Sequence, residues 1–192
     1  MFVVGGKSFG SLGRKIDVLS ATGESTGGSR HQGREVALQV LYAIDLAAHP
    51  SARRAERPGD DPDEGEESEE GDVRAAPSLE GSTTIFDRVA EHFVVPKGAL
   101  DFARELVAGV VAGLPDLDAL VSLHARNWRV SRMAVVDRNV LRLAAHELRA
   151  TSTPVAVVID EAVDLARRFG SDRSPSFVNG VLDAIAKEVR SA

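Results

Sequence analysis

The sequence has no cysteine, one tryptophan and one tyrosine. Without cysteine it has no disulfide bond, no catalytic thiol and no thiolate-bound zinc, which suits a reducing compartment. No apolar run approaches the roughly 18 residues that a membrane-spanning helix needs, so no transmembrane segment is predicted. The N-terminal stretch MFVVGGKSFGSLGRK also lacks the apolar core of a secretory signal peptide. We therefore expect a protein without a membrane anchor.

The common motifs of catalytic and metal sites are missing as well. Neither HExxH, GxSxG nor GxGxxG occurs, and the five histidines are not spaced as ligands of one metal ion. Asp160 and Glu161 form a prominent carboxylate pair, but neighbouring helical residues point about 100° apart and do not converge on one atom. We expect Glu161 to face solvent or to bond to a neighbouring helix. The sequence predicts a protein that is not an enzyme and binds no metal or cofactor.

The net charge of −6 conceals two regions of opposite sign. Residues 56–72 contain ten acidic residues and one arginine, a charge of −9, whereas the rest of the chain has a charge of +3. Arginine, with 19 residues against four lysines, supplies most of the positive charge. Its planar guanidinium group suits phosphate groups and base edges, although the high content of Ala, Gly and Val makes genome composition an alternative explanation.

Two segments lack helical or strand periodicity. Residues 1–29 contain seven glycines and five serines, and residues 50–81 are rich in Pro, Gly, Glu and Asp. Such segments bury too little apolar surface to offset the entropy that is lost on ordering. We predict a disordered extension over 1–29 and a helical domain over 30–190, interrupted by a disordered acidic loop over 50–81.

The rest of the chain has apolar residues at three- and four-residue spacing, the pattern of amphipathic helices. Seven helices and no strand are predicted, so the predicted fold class is all-α. Ser131 is expected to begin the helix that follows the tryptophan. Gly180 is a poor helix former in mid-helix, so we expect a close helix–helix approach there, with Asn179 bonding to a neighbouring loop.

Three segments of the helical body carry distinctive motifs. The first is RHQGREVALQVLY at 30–42. The second contains NWR from 127, VDRNVLRLA from 136 and EL at 147–148. The third contains TPV from 153, IDEAVDLA from 159, FG at 169–170 and SFVNGVLD from 176. In order and spacing these motifs resemble the NusB family of bacterial transcription antitermination factors, over residues 30–48 and 83–190.

The resemblance implies two small three-helix bundles with a linking helix, and a role without catalysis. Members of this family pair with a ribosomal protein called NusE and bind the single-stranded boxA element of ribosomal RNA transcripts. In doing so they help RNA polymerase to resist termination. The family is cytoplasmic, and some members form homodimers. The implied partners are boxA-type RNA, NusE, the RNA polymerase antitermination complex and, in a homodimer, a second copy.

Positive charge near two helix starts is predicted to bind the RNA phosphates. Arg30, His31 and Arg34 open the first helix, where backbone N–H groups already attract phosphate. The family's opening is typically more basic than RHQGR, so Arg173, ahead of the last helix, is expected to supply part of the charge.

Two aromatic residues are predicted to stack on unpaired bases. They are Tyr42 and Phe177, with core packing as the alternative for both. The resemblance places the partner-binding surface on the second bundle, around Asp137, Arg138 and Arg142. These three are expected to project from the apolar stripe of their helix, with plain solvation as the alternative role.

Two other functions compete with antitermination. The RNA-binding helical domain of a ribosomal RNA methyltransferase is similar to NusB in fold, but that enzyme needs a following α/β domain with a glycine-rich cofactor loop. The other alternative is a helical protein-interaction scaffold with no nucleic-acid role.

Overall fold

The computed structural model describes residues 28–48, 79–126 and 128–190. Within these residues the chain forms seven α-helices and no strand, which confirms the predicted all-α class. The helices are α1 (Ser29–Ala48), α2 (Leu79–Ala90), α3 (Lys97–Ala112), α4 (Leu114–His124), α5 (Val135–Ala150), α6 (Val155–Phe169) and α7 (Ser174–Val189).

The helix starts differ from the predictions at two places. Helix α2 begins at Leu79, three residues inside the segment predicted as the acidic loop. Helix α5 begins at Val135 rather than Ser131, because the residues from Val130 to Arg132 form a short 3-10 turn first. The remainder of the predicted acidic loop, and the predicted N-terminal extension up to residue 27, lie outside the described residues.

The helices pack as two groups of three. Helices α1, α2 and α3 contact one another, and so do α5, α6 and α7, while α4 packs on α5 and α7. This is the predicted pair of three-helix bundles with a linking helix. The groups also contact each other, since α5 lies against both α1 and α3. A single apolar cluster therefore runs through both bundles, with Val36 and Val40 in the same core as Val140 and Leu182.

Two helical glycines, Gly109 and Gly180, differ in how closely their neighbours pack. Gly109 of α3 lies directly against the ring of His146 on α5, where an added Cβ would stand 2.2 Å from Cε1. Gly180 of α7 is exposed and has no neighbour within 4 Å of such a Cβ, and Asn179 bonds to Asp183 in its own helix. The expected close approach at Gly180 is therefore wrong: this face of α7 is turned to solvent.

No single helix of the described residues is both long enough and apolar enough to cross a membrane. Helices α3 and α4 together have sufficient length and apolar character, but a bend of 78° separates them.

Candidate nucleic-acid interface

The start of α1 is a cluster of charged side chains from three helices. The two ring nitrogens of His31 lie 2.7 Å from Glu161 on α6 and 3.1 Å from Glu35, one turn further along α1. Glu35 also bonds to Arg168 of α6. The expectation for Glu161 is confirmed, because its carboxylate bonds to a neighbouring helix.

The first two cations of this cluster differ in their surroundings. Arg30 is exposed, with its guanidinium carbon 5.6 Å from the ring centroid of Phe102 on α3. Arg34 is buried and bonds through Nε and Nη2 to both carboxylate oxygens of Glu147 on α5, at 2.8 and 2.7 Å. Arg34 therefore joins the two bundles, and its burial contradicts the expectation of a guanidinium open to phosphate. Arg30 keeps the exposure that such a contact requires.

Tyr42 lies inside the protein, packed with Leu46 of α1 and Val135 of α5. Its side chain is 6% exposed. This burial contradicts the expectation of a ring open to a base. The cause is the packing of α5 across the face of α1 that carries Tyr42.

Phe177 lies near the start of α7 and is half-buried against the core. Its outer side contacts the ring of Trp128, which precedes the 3-10 turn between α4 and α5. Arg173 is exposed and stands immediately before α7. The predicted base-stacking and phosphate-binding residues of this region are thus next to each other, and sequence reasoning missed the tryptophan beside them. Its position between two arginines in a loop was the available signal.

The three predicted partner-binding residues are buried, so the expectation that they project into solvent is wrong. Arg138 bonds through Nε and Nη2 to the carboxylate of Asp45 on α1, at 2.5 and 2.8 Å. Arg142 reaches the same carboxylate at 3.1 Å and holds both oxygens of Asp118 on α4, at 2.7 and 2.8 Å. Because α1 and α4 pack over this face of α5, the two arginines are internal connections rather than surface charges.

The charges of this network act on one another. Burial alone would raise the pKa of Asp45, but the hydrogen bonds and charges of Arg138 and Arg142 outweigh it and hold that pKa below its ordinary value. Burial likewise works against the charged form of Arg142, yet Asp118 and Asp45 raise its pKa. The ionised states of Asp45 and Arg142 are therefore favoured in the folded protein.

Asp137 is in a different position from the two arginines. Its carboxyl group lies near the Ser174 hydroxyl at the start of α7, while its Oδ1 is buried without a hydrogen-bond partner. Burial raises the pKa of Asp137, and the Ser174 hydroxyl offsets only part of that rise. Asp137 thus keeps one buried, unpaired acceptor oxygen.

No group of three or more His, Asp or Glu side chains in the described part of the chain is arranged to hold a metal ion. The site instead consists of two polar regions. One is the charged cluster at the start of α1, and the other is the aromatic and basic surface beside the start of α7.

Known proteins of one family are similar to this chain over most of its length. A sequence model of the NusB family matches residues 31–187. The transcription antitermination protein NusB of Anaeromyxobacter dehalogenans strain 2CP-1 is 39% identical over 158 residues, which cover 82% of this chain and 89% of that protein. The NusB protein of Geobacter sp. strain M21 is 38% identical over 162 residues, covering 84% and 96%.

Solved structures of NusB have the same arrangement of helices. A crystal form of NusB from T. maritima has a TM-score of 0.60 and 31% identity, covering 83% of this chain and 91% of that chain. A complex of the antitermination factors NusB and NusE with double-stranded RNA contains a chain with a TM-score of 0.60 and 27% identity, covering 83% and 97%.

Proposed function

The chain belongs to the NusB family, and on that basis we propose that it is a non-catalytic transcription antitermination factor of the cytoplasm. It pairs with the ribosomal protein NusE and binds boxA-type single-stranded RNA of ribosomal RNA transcripts, within the RNA polymerase antitermination complex. The observation that carries this proposal is the likeness to the solved NusB–NusE–RNA complex across nearly the whole of that NusB chain.

The exposed residues beside α1 and α7 support the RNA-binding part of the proposal. Arg30 and Arg173 have guanidinium groups that phosphates can reach, and Phe177 has a ring at the surface. The His31 side chain is 22% exposed and bonded to two carboxylates, so phosphate competes with Glu35 and Glu161 for it. Arg34 and Tyr42 are buried and are not part of this exposed surface.

The NusE-binding part of the proposal centres on the start of α5. Arg138 and Arg142 fix how α1 and α4 pack there, which sets the shape of the adjoining surface. Asp137 is buried as well, and its unpaired Oδ1 is closed to solvent, so all three residues act on this surface through the packing of α5 rather than by direct contact.

The named relatives favour antitermination over the methyltransferase alternative. They are antitermination proteins, and the matched segments span 89% and 96% of their lengths, so this chain is similar to nearly the whole of each of them. The scaffold alternative predicts no binding of RNA, so one binding experiment separates it from the proposed function.

The experiment is a filter-binding titration with boxA-type and scrambled single-stranded RNA, and with a double-stranded form of each, with and without NusE. We expect boxA-type single strands to bind most tightly, and NusE to increase that preference. Equal affinity for boxA-type and scrambled RNA, unchanged by NusE, would contradict the proposal. Tighter binding of the duplex would instead assign a double-stranded ligand. Sedimentation of the free protein at several concentrations tests the predicted homodimer.

A further inference from the structure

The loop between α4 and α5 displays the largest exposed apolar side chain of the described residues. Trp128 is 55% exposed, and its ring lies 5.6 Å from that of Phe177, centroid to centroid, with the planes inclined by 55°. Since Phe177 is itself packed against the core, it supports the indole from beneath. The outer face of the indole is left open to solvent.

Unpartnered positive charge surrounds this ring pair. Residues 125–136 contain three arginines and no acidic residue. Arg126, Arg129 and Arg132 are exposed, and within the described parts of the chain none of their guanidinium groups has an ion-pair or hydrogen-bond partner. The guanidinium group of Arg173, one helical turn before Phe177, is likewise exposed and has no such partner among the described residues. An aromatic surface among arginines without side-chain partners is the arrangement that binds unpaired bases and their phosphates.

The helix beside the ring pair leaves room for a ligand. Gly180 lies one turn beyond Phe177 on the same face of α7, and a Cβ placed on it would meet no atom within 4 Å. The surface of α7 at Gly180 is therefore open, so that a sugar-phosphate backbone can pass close to the helix there.

We propose that Trp128 stacks directly on an unpaired base of the bound RNA, with Phe177 holding the indole in place and the flanking arginines neutralising adjacent phosphates. The inference rests on the proposed RNA-binding function and adds to it a base-contacting residue that the sequence did not single out. Stacking on an indole tolerates any base, because every base has a π face. The contact thus contributes affinity more than sequence preference.

The chain's only tryptophan makes a direct test possible. We would titrate the full chain with boxA-type single-stranded RNA, and with the same RNA carrying abasic sugars, while recording tryptophan fluorescence. Quenching is expected with the intact RNA and not with the abasic RNA. In filter binding, Trp128→Ala should lower the affinity for the intact RNA by about 5- to 150-fold. Its affinity for the abasic RNA should be nearly the same as that of the parent protein. Trp128→Phe should retain most of the affinity.

Leu123→Ala is the matched control, because Leu123 is also a large apolar residue at the surface, at 66% exposure. It should leave RNA binding unchanged. Circular dichroism melts of all variants check that they fold. If Trp128→Ala does not fold, the stacking contact is tested by the quenching of the parent protein and by the RNA affinity of Trp128→Phe.

The possible outcomes separate this inference from the proposed function. Normal RNA binding without quenching, or unchanged affinity in Trp128→Ala, overturns the stacking contact and leaves the proposed function standing. If Trp128→Ala binds RNA normally but no longer binds NusE, the indole contacts the protein partner instead of a base, and this result also overturns the inference. If the parent protein binds no RNA, the proposed function fails, and the stacking contact fails with it.

Discussion

Arg34 and Glu147 are joined by two parallel hydrogen bonds across the interface of the two bundles, and their side chains are only 3% and 2% exposed. A bidentate arginine–carboxylate pair of this kind fixes both the distance and the rotation of α1 against α5. The predicted phosphate ligand is therefore a connection between helices.

Removing one member of this pair should destabilise the protein strongly. We expect Arg34→Met to lower the free energy of unfolding by about 3–5 kcal/mol, because Glu147 is left as a buried charge whose main partner is gone. The double variant Arg34→Met with Glu147→Leu should recover much of that loss, since neither charge then remains. Urea denaturation measures both, and a double variant no more stable than the single one would contradict the explanation.

Asp45→Asn should destabilise the protein in a way that depends on pH. The pKa of Asp45 lies below its ordinary value of 3.8, so the folded state binds fewer protons than the unfolded state in this range. The stability that Asp45 supplies is complete above that ordinary value and is lost as the pH falls through the folded pKa. At pH 7 we expect a loss of about 3–5 kcal/mol, which shrinks on acidification. A loss that is the same at every pH would show that the charge is not its source.

Asp137→Asn should have the opposite effect at neutral pH. The pKa of Asp137 lies above its ordinary value of 3.8, so the folded state binds more protons and ionisation costs stability. We expect the variant to be more stable than the parent by about 1 kcal/mol at pH 7. The difference should fade as the pH falls through the raised pKa and vanish below the ordinary one. Together with Asp45→Asn this forms a matched pair of opposite sign, measured by thermal melts across pH.

Two glycine variants test the packing of the helices. Gly109→Ala places a Cβ against the His146 ring and should cost about 1–3 kcal/mol. Gly180→Ala adds a methyl group in open space and should stabilise α7 by about 0.5–1 kcal/mol, because alanine loses less entropy in a helix. If Gly180→Ala were destabilising, the exposed position of Gly180 would be wrong.

The exposed arginines should determine how salt affects RNA binding. Arg30→Ala and Arg173→Ala should each reduce the slope of log K against log salt by about 0.7, the value for one phosphate contact on a single strand. Both substitutions should lower the affinity for boxA-type and for scrambled RNA by the same factor. Arg88→Ala, which removes an exposed arginine from α2, serves as the control and should leave the slope unchanged.

Helical spacing predicted the fold because it depends on neighbours in the sequence. The stripe through Val36 and Val40 is such a local pattern, and it faces the core as expected. The partners of Asp45 could not be found this way, since Arg138 lies 93 residues further along the chain. From the sequence alone, a polar residue on an amphipathic helix is predicted to be exposed. Only the structure shows whether another helix covers it.

Part of the candidate site was predictable because it also depends on a local sequence pattern. Phe177 and Arg173 follow a recognisable loop and helix start, and the structure leaves both reachable from solvent. Tyr42 stands in an equally suggestive motif, but α5 covers it. Trp128 shows the converse case, because only the folded structure places its ring on Phe177.

The apolar core passes without a break from one bundle to the other. Neither bundle is then a self-sufficient unit, since separating them would bare the faces of α1 and α3 that α5 covers. A fragment holding one bundle would be prone to associate with other exposed apolar surfaces, its own copies included. A chimera that replaces one bundle by that of a relative should therefore be unstable unless the facing bundle is replaced with it. The charged side chains that join α1 to α5 would have to be replaced together for the same reason.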